Sequence, residues 1–173
     1  PKALGTELFF SRPALGGQTI LRGPSDGSQT PVPLFPGQPG LIEDRFEFVT
    51  PNTLAFIHGS PVSGGTARVF DLATSVLAPL HPTLPTGQGT VELIPLSSGP
   101  RMLLRGNLDT PGNIDLYQVP VDASQLPLRL SQPVNSQSDV LEVEPVPGGA
   151  RVAYRAQTPV PQTPTLQDLF VVP

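Results

Sequence analysis

The chain has 173 residues, of which 38% are apolar and 14% charged, with 24 Pro and 17 Gly but no Cys and no Trp. With only 10 Lys plus Arg and a formal charge of −4, the chain lacks the clustered positive charge that binds nucleic acid or anionic lipid. No apolar run reaches the roughly 20 residues of a membrane-spanning helix. The missing Cys excludes disulfides, Cys-based zinc sites and thiol catalysis, and the dense Pro and Gly exclude a helical bundle. An all-β chain of short strands remains.

One short pattern, an acidic residue, Leu and an aromatic residue followed by apolar residues, recurs along the chain. Copies begin at Glu7, Asp115 and Asp168, and a degenerate copy lies at 68–72. Their aromatic residues follow one another at intervals that average roughly 54 residues, which is typical of a repeat protein.

Each of the later copies follows a predicted hairpin, in which alternating apolar residues lead to a Pro, a turn and a second apolar run. These hairpins lie at 46–56, 91–105 and 141–155. Gly supplies positive φ and Pro presets φ, so the residues between the runs are good turn formers. A further apolar run comes after the pattern, as at 126–130. Four short strands in each period are typical of a β-propeller blade.

The predicted architecture is therefore a partial β-propeller of about three blade-equivalents. Its predicted parts are a partial blade at 1–40, blades at 41–88 and 89–138, and a partial blade at 139–173. In this interpretation the chain opens on the third strand of a blade and ends on another third strand. The alternative is a β-sandwich in which the spacing is a coincidence.

This count of strands does not close a ring. Propellers need four to eight blades, so we expect either a segment of a longer propeller or an open arc whose strand edges pair with another copy. Within the predicted blades, Tyr117 is expected in a core between two blades.

The segments 147–154 and 168–172, with 115–121, carry a family resemblance. They resemble TolB-type (WD40-like) propeller repeats of bacterial envelopes, whose blades have a Pro-Asp-Gly hairpin, an apolar strand and then an acidic–Leu–aromatic strand. The sequence departs from that pattern where Gly148 or Ser98 replaces the turn Asp. The resemblance implies a non-catalytic propeller that binds other proteins outside the cytoplasm, in the periplasm or cell envelope.

Two Pro-rich loops, 31–39 and 159–164, favour the polyproline II conformation, which docks on aromatic grooves at little entropic cost. If exposed, Leu34 and Phe35 with the flanking Pro33 and Pro36 form the predicted protein contact. The alternative is that the prolines only stiffen long loops.

A second candidate site is the loop that contains Asp109, Asn113 and Asp115. Oxygen ligands in a Gly-containing loop suit calcium, although the spacing is not that of an EF-hand. Gly112 followed by Asn113 is equally good turn chemistry. No cofactor other than calcium is suggested by the sequence.

Residues with catalytic potential all have a simpler interpretation. Gly23–Gly27 spells the GxSxG nucleophile elbow, but the Pro-rich residues after it cannot form the helix that this site requires, so a turn is predicted. His58 and His81 are interpreted as loop residues rather than bases. Four mid-strand carboxylates recur at equivalent positions and are interpreted as architectural: Glu47, Glu92, Glu142 and Glu144.

The sequence thus predicts a non-enzymatic, protein-binding or scaffolding propeller segment of an extracytoplasmic assembly. Its expected partners are other proteins, the remaining blades of a longer chain, or a second copy through open strand edges, with no nucleic acid and no membrane insertion. One alternative is the propeller part of a prolyl-oligopeptidase-like hydrolase whose catalytic domain lies elsewhere. Another is a lectin-like or calcium-linked structural module.

Overall fold

The structure is a computed structural model that describes residues 1–14, 17–35, 42–59, 65–97, 99–132, 139–148, 151–158 and 166–173. These residues form strands and turns and contain no helix. The first eight strands are β1 (Lys2–Leu4), β2 (Glu7–Ala14), β3 (Gly17–Pro24), β4 (Val32–Pro33), β5 (Ile42–Thr50), β6 (Thr53–His58), β7 (Thr66–Asp71) and β8 (Val76–Pro79). The remaining seven are β9 (Thr90–Pro95), β10 (Arg101–Gly106), β11 (Asp115–Pro120), β12 (Leu128–Arg129), β13 (Asp139–Pro145), β14 (Val152–Thr158) and β15 (Leu166–Val172).

The strands form four successive antiparallel units, in each of which neighbours in sequence are neighbours in the sheet. Unit 1 is β1–β4, unit 2 is β5–β8, unit 3 is β9–β12, and unit 4 is the three strands β13–β15. Units 1 and 2 share one sheet through the pair Gln18 and Ile42, while units 3 and 4 are separate sheets. The hairpins predicted at 46–56, 91–105 and 141–155 are confirmed as β5–β6, β9–β10 and β13–β14.

The predicted strand order at the start of the chain is wrong. Glu7–Ala14 is the second strand of its unit rather than the third, because β1 precedes it and pairs with it across a turn where Gly5 has a φ of 58°. β1 and β4 have only three and two residues, too few to show any periodicity in the sequence. Unit 1 therefore has four strands where only the third and fourth strands of a blade were expected, and the predicted blade boundaries stay predictions.

Apolar cores lie between the units rather than inside one pair of sheets. In β6, Leu54 and Phe56 pack against unit 1, whereas Ala55 and Ile57 pack against unit 3. All four side chains are almost completely buried. Successive side chains of a strand point to opposite faces, so this pattern means that unit 2 is covered on both faces.

Unit 3 shows the same two-sided burial. Met102 and Leu104 of β10 pack against unit 2, and Leu103 between them packs against unit 4. A sandwich has one interior between two sheets, whereas the described residues of this chain have three interfaces between four stacked units. The predicted propeller architecture is confirmed, and the sandwich alternative is wrong.

Tyr117 lies where the sequence predicted it, in the core between units 2 and 3, with 1% of its surface exposed. Tyr117→Ala should lower the free energy of unfolding by about 3–5 kcal/mol, the range of buried large-aromatic truncations, as measured by urea denaturation. The control Tyr117→Phe removes only the hydroxyl group, which donates to Asp109 Oδ2 at 3.2 Å and accepts the Asp109 N–H at 3.3 Å. It should cost about 0.5–1.5 kcal/mol for each of these hydrogen bonds. A Tyr117→Ala loss below about 1 kcal/mol would contradict the packing of unit 3 on unit 2.

Candidate binding surfaces

The predicted contact loop does not present its aromatic residue to solvent. Phe35 is 9% exposed, and its ring lies 5.0 Å from that of Phe56 and 4.9 Å from that of Phe70. Leu34 is half-buried against the same core between units 1 and 2. The exposure on which their predicted contact role depends is therefore absent, because this segment packs over the interface that unit 1 makes with unit 2. Pro33 is exposed, and Pro36 lies outside the described residues.

The loop that was considered for calcium uses its carboxylates in other ways. Asp115 Oδ1 accepts hydrogen bonds from Arg129 Nη2 and Ser131 Oγ, each at 2.7 Å. Asp109 accepts from the Tyr117 hydroxyl, and Asn113 is buried, with its N–H donating to the Thr110 carbonyl at 3.3 Å. In the part of the chain that the structure describes, no three His, Asp or Glu side chains group together as a metal site would require.

The GxSxG segment forms a turn, as predicted. The Ser25 N–H donates to the Thr6 carbonyl at 2.7 Å, and the Gly27 N–H donates to the Pro24 carbonyl at 3.3 Å. Asp26 Oδ1 accepts from the Ser28 N–H, and the residues that follow lead into β4. Ser25 is therefore held by turn geometry, without the helix N-terminus that a nucleophile elbow needs.

His81 is a structural residue rather than a base. Its Nε2 accepts the Ala67 N–H at 3.1 Å, which places the proton on Nδ1, 2.8 Å from the Pro82 carbonyl oxygen that accepts it. Burial lowers the pKa of this imidazole, although the Pro82 hydrogen bond partly opposes the shift. His58 is half-buried, and burial followed by the nearby Arg68 charge lowers its pKa as well.

Three of the four recurring carboxylates pair with cations, which agrees with their predicted architectural role. Glu47 pairs with Lys2 of unit 1, and Glu92 pairs with Arg105 at 2.7 Å. Glu142 pairs with Arg155 at 3.2 Å, and Glu144 is exposed. The basic partners of these carboxylates were not predicted from the sequence, although Arg105 and Arg155 occur at equivalent places in two repeats.

The outward face of unit 4 has large exposed apolar side chains. Leu169 and Val171 of β15 are 74% and 56% exposed, and Ala153 of β14 lies beside them. Glu142 and Arg155 flank this surface, which we call the trailing face.

Unit 3 provides a matched reference for the trailing face. Glu92 and Arg105 pair across β9 and β10 next to a bulge, and Glu142 and Arg155 do so across β13 and β14. On the next strand, Leu116 lies opposite Arg105 just as Leu169 lies opposite Arg155.

The two equivalent leucines differ in what covers them. Leu116 is fully buried against unit 4, and Arg105 Nη1 donates across that interface to the Val140 carbonyl at 3.2 Å. Leu169, at 74% exposure, occupies a position that is covered in unit 3. The trailing face is thus built like a surface that a neighbouring sheet covers.

The side of unit 1 that points away from unit 2 is called the leading face, and it is partly covered. Leu8 and Phe10 of β2 point away from Phe9, which is buried against unit 2, and both are half-buried. Leu21 pairs with Phe10 on the same side and is 5% exposed. A cleft of about 470 Å³ lies along this face beside the 23–31 turn. Its volume is within the range of ligand pockets, but its only large apolar walls are the sheet residues Leu8 and Phe10.

No protein-family model matches the sequence, and no curated protein matches it either. Solved structures do match the chain. A TolB from Agrobacterium tumefaciens has a TM-score of 0.60 at 16% identity, and the match covers 95% of this chain and 57% of the TolB chain. The fold is a partial β-propeller. A puromycin hydrolase matches with a TM-score of 0.59 at 19% identity, over 96% of this chain and 29% of the hydrolase.

The tricorn protease matches with a TM-score of 0.63 at 11% identity, over 99% of this chain and 17% of the protease. The resemblance to TolB-type repeats is confirmed at the level of the fold. This chain spans little more than half of the TolB structure and much smaller parts of the two hydrolytic enzymes. Among the described residues, no helix has the length and hydrophobicity to cross a membrane.

The neutral state of His81 predicts a pH dependence of stability. Because folding lowers its pKa below 6.5, the unfolded chain binds this proton at a higher pH than the folded chain. Stability is therefore full above about pH 6.5 and falls as the pH drops below it, by at most about 1.4 kcal/mol per pH unit for one group.

Urea denaturation between pH 7.5 and 5.5 should show a smaller loss of stability in His81→Gln than in the wild type. His58→Gln is the comparison variant, because His58 is the other histidine and its pKa is lowered by burial as well. An unchanged pH slope in His81→Gln would contradict the hydrogen bonding assigned to His81.

Proposed function

We propose that this chain is a non-catalytic, protein-binding segment of a β-propeller that acts as a scaffold in a cell-envelope or other extracytoplasmic assembly. The observation that carries the proposal is the contrast between Leu116, buried by a neighbouring sheet, and Leu169, exposed at the equivalent position. A surface with an apolar centre and a charged rim is typical of a protein interface.

The chemistry of the trailing face favours protein over other ligands. Its apolar residues come from a sheet, and its charged residues include Glu142, Glu144 and Arg155. Nucleic acid and anionic lipid require a strong positive potential, whereas the chain carries a formal charge of −4. The extracytoplasmic location is part of the proposal and rests on the resemblance to TolB-type repeats.

Two local arrangements support a non-catalytic role. Ser25 lies in a turn held by backbone hydrogen bonds, and both ring nitrogens of His81 are engaged by the backbone. Neither group is arranged for nucleophilic or general-base catalysis, which requires a nucleophile and a base within hydrogen-bonding reach of each other.

A second candidate function is the propeller part of a larger hydrolase. It is favoured by the structural similarity to the puromycin hydrolase and the tricorn protease, of which this chain covers 29% and 17%. In that case the catalytic serine would lie outside the 173 residues. A fluorophosphonate probe, applied to the polypeptide that contains this segment, distinguishes the two candidate functions. Only the hydrolase would be labelled, and the labelled serine would lie outside residues 1–173.

Site-specific photo-cross-linking tests the protein-binding role. With Leu169 replaced by p-benzoylphenylalanine in the polypeptide that contains this segment, we expect irradiation in bacterial cells to yield one cross-link to a defined protein sequence, mapped by mass spectrometry. The matched control is the same replacement at Val76, which is 57% exposed but lies in the outer strand β8 of a unit covered on both faces. Equal yields at the two positions would contradict the proposal.

A further inference from the structure

A small cavity lies between units 2 and 3, and we call it the 2–3 cavity. Its volume is about 190 Å³, and it is partly open to solvent. The residues that form most of its wall are His81 and Leu84, which follow β8 of unit 2, and Leu108, Asp109, Tyr117 and Leu126 of unit 3. Because both units are part of this chain, the cavity does not depend on what covers the trailing face or the leading face.

Asp109 brings a negative charge to the cavity, and Tyr117 holds that charge in place. The Tyr117 hydroxyl donates to Asp109 Oδ2 at 3.2 Å, and its oxygen accepts the Asp109 N–H at 3.3 Å. Burial, followed by the charges of Asp109 and Asp115, raises the pKa of Tyr117, so this hydroxyl keeps its proton and remains a donor. The carboxylate of an exposed residue is thus fixed by a buried one.

The charge of Asp109 is not neutralised by any residue that the structure describes. The ion pairs among the described residues use the carboxylates of other residues. His81, the basic residue in the cavity wall, is neutral in its assigned hydrogen bonding, with both ring nitrogens engaged by the backbone. An ionised carboxylate has about four acceptor sites, and the Tyr117 hydroxyl uses one of them. Asp109 therefore has room for a cation from outside the chain.

The remaining wall is largely apolar, and its size limits what can enter. Leu84 and Leu108 are partly or fully buried, whereas Leu126 is 73% exposed. Pockets for drug-sized ligands measure roughly 300–1,000 Å³, and a cavity of about 150 Å³ holds one benzene molecule. The 2–3 cavity therefore suits a single side chain. Apolar walls beside a carboxylate match a side chain with an aliphatic stem and a cationic end.

We infer that the 2–3 cavity receives one arginine side chain of a bound protein, with its methylene groups against Leu108 and Leu126 and its guanidinium group at Asp109. This inference rests on the proposed function, since it gives the protein partner a second contact and names its chemistry. Arginine fits better than lysine because its planar guanidinium is more weakly hydrated and donates two parallel hydrogen bonds to a carboxylate. Arginine is also enriched among the residues that dominate protein interfaces.

Titration of the 173-residue chain with N-acetyl-arginine N-methylamide, followed by NMR of the backbone amides, tests the inference. We expect saturable shifts at Asp109, Tyr117 and Leu126. N-acetyl-citrulline N-methylamide has nearly the same shape without the charge. It should bind about fivefold more weakly or worse, since a partly exposed ion pair contributes up to about 1 kcal/mol.

Three variants separate charge from structure. Asp109→Asn keeps an oxygen that can accept the Tyr117 hydroxyl, so it should weaken binding of the arginine probe about fivefold and leave the citrulline probe unchanged. Asp122→Asn is the matched control: it removes the same charge from an exposed turn of unit 3, where Asp122 Oδ1 accepts the Ser124 N–H at 3.0 Å, and it should bind like the wild type. Leu126→Ser should weaken both probes, because both have the same stem.

Several results would overturn the inference. They are the absence of saturable shifts, equal affinity for the two probes, and an equal effect of Asp109→Asn and Asp122→Asn. Free arginine that binds more tightly than the capped form would identify a small-molecule site and would overturn the assignment to a protein side chain. The proposed function is tested separately, because cross-linking at Leu169 reports on the trailing face. It survives failure of the titration if that cross-link captures a defined protein, and fails if none is captured.

Discussion

Two-sided apolar sheets are the constraint on which the rest of this structure depends. An antiparallel sheet with one polar face can be stable with a single covered side, as in a two-layer domain. Here β6 buries four consecutive side chains, Leu54 to Ile57, and β10 buries Met102 to Leu104. Such strands need a neighbour on each side, so each unit depends on the next and the chain folds as a stack.

The buried polar groups serve the connections between strands and units. His81 ties the start of β7 to the loop after β8, and Asp115 ties β11 to Arg129 of β12 and to Ser131. Both ring nitrogens of His81 and Oδ1 of Asp115 have hydrogen-bond partners, as most buried polar atoms do. Their positions near loops make them resemble active-site residues in the sequence, whereas their bonds show that they hold the loops in place.

Local sequence was a good guide to units 2 to 4 and a poor one to unit 1. The hairpins of the later units have strands of six or more residues with turn formers between them, so pattern and turn chemistry agree. In unit 1 the acidic–Leu–aromatic pattern belongs to the second strand of the unit, not the third. The pattern could not distinguish these positions, because a strand buried on one face has the same local pattern as a second or a third strand. Only the pairing with β1 settles its position, and that pairing depends on three residues.

The candidate sites were harder to predict because burial depends on the neighbouring unit. Phe35 follows a Pro-rich segment that looks solvent-exposed, but Phe56 and Phe70, which cover it, belong to another unit. Asp115 has the appearance of a metal ligand until Arg129 is known to lie beside it. Tyr117 was predictable, since a mid-strand aromatic residue in an alternating pattern points into a core wherever both sides of the sheet are covered.

The exposed leucine of β15 also distinguishes two ways in which the stack can be extended. Addition of a strand along the edge of β15 would satisfy its backbone groups but leave Leu169 and Val171 exposed, because side chains point out of the plane of a sheet. Packing of another sheet on the trailing face would cover both side chains. Since a facing sheet buries the equivalent Leu116, packing of a sheet on the trailing face would repeat the contact that joins units 3 and 4.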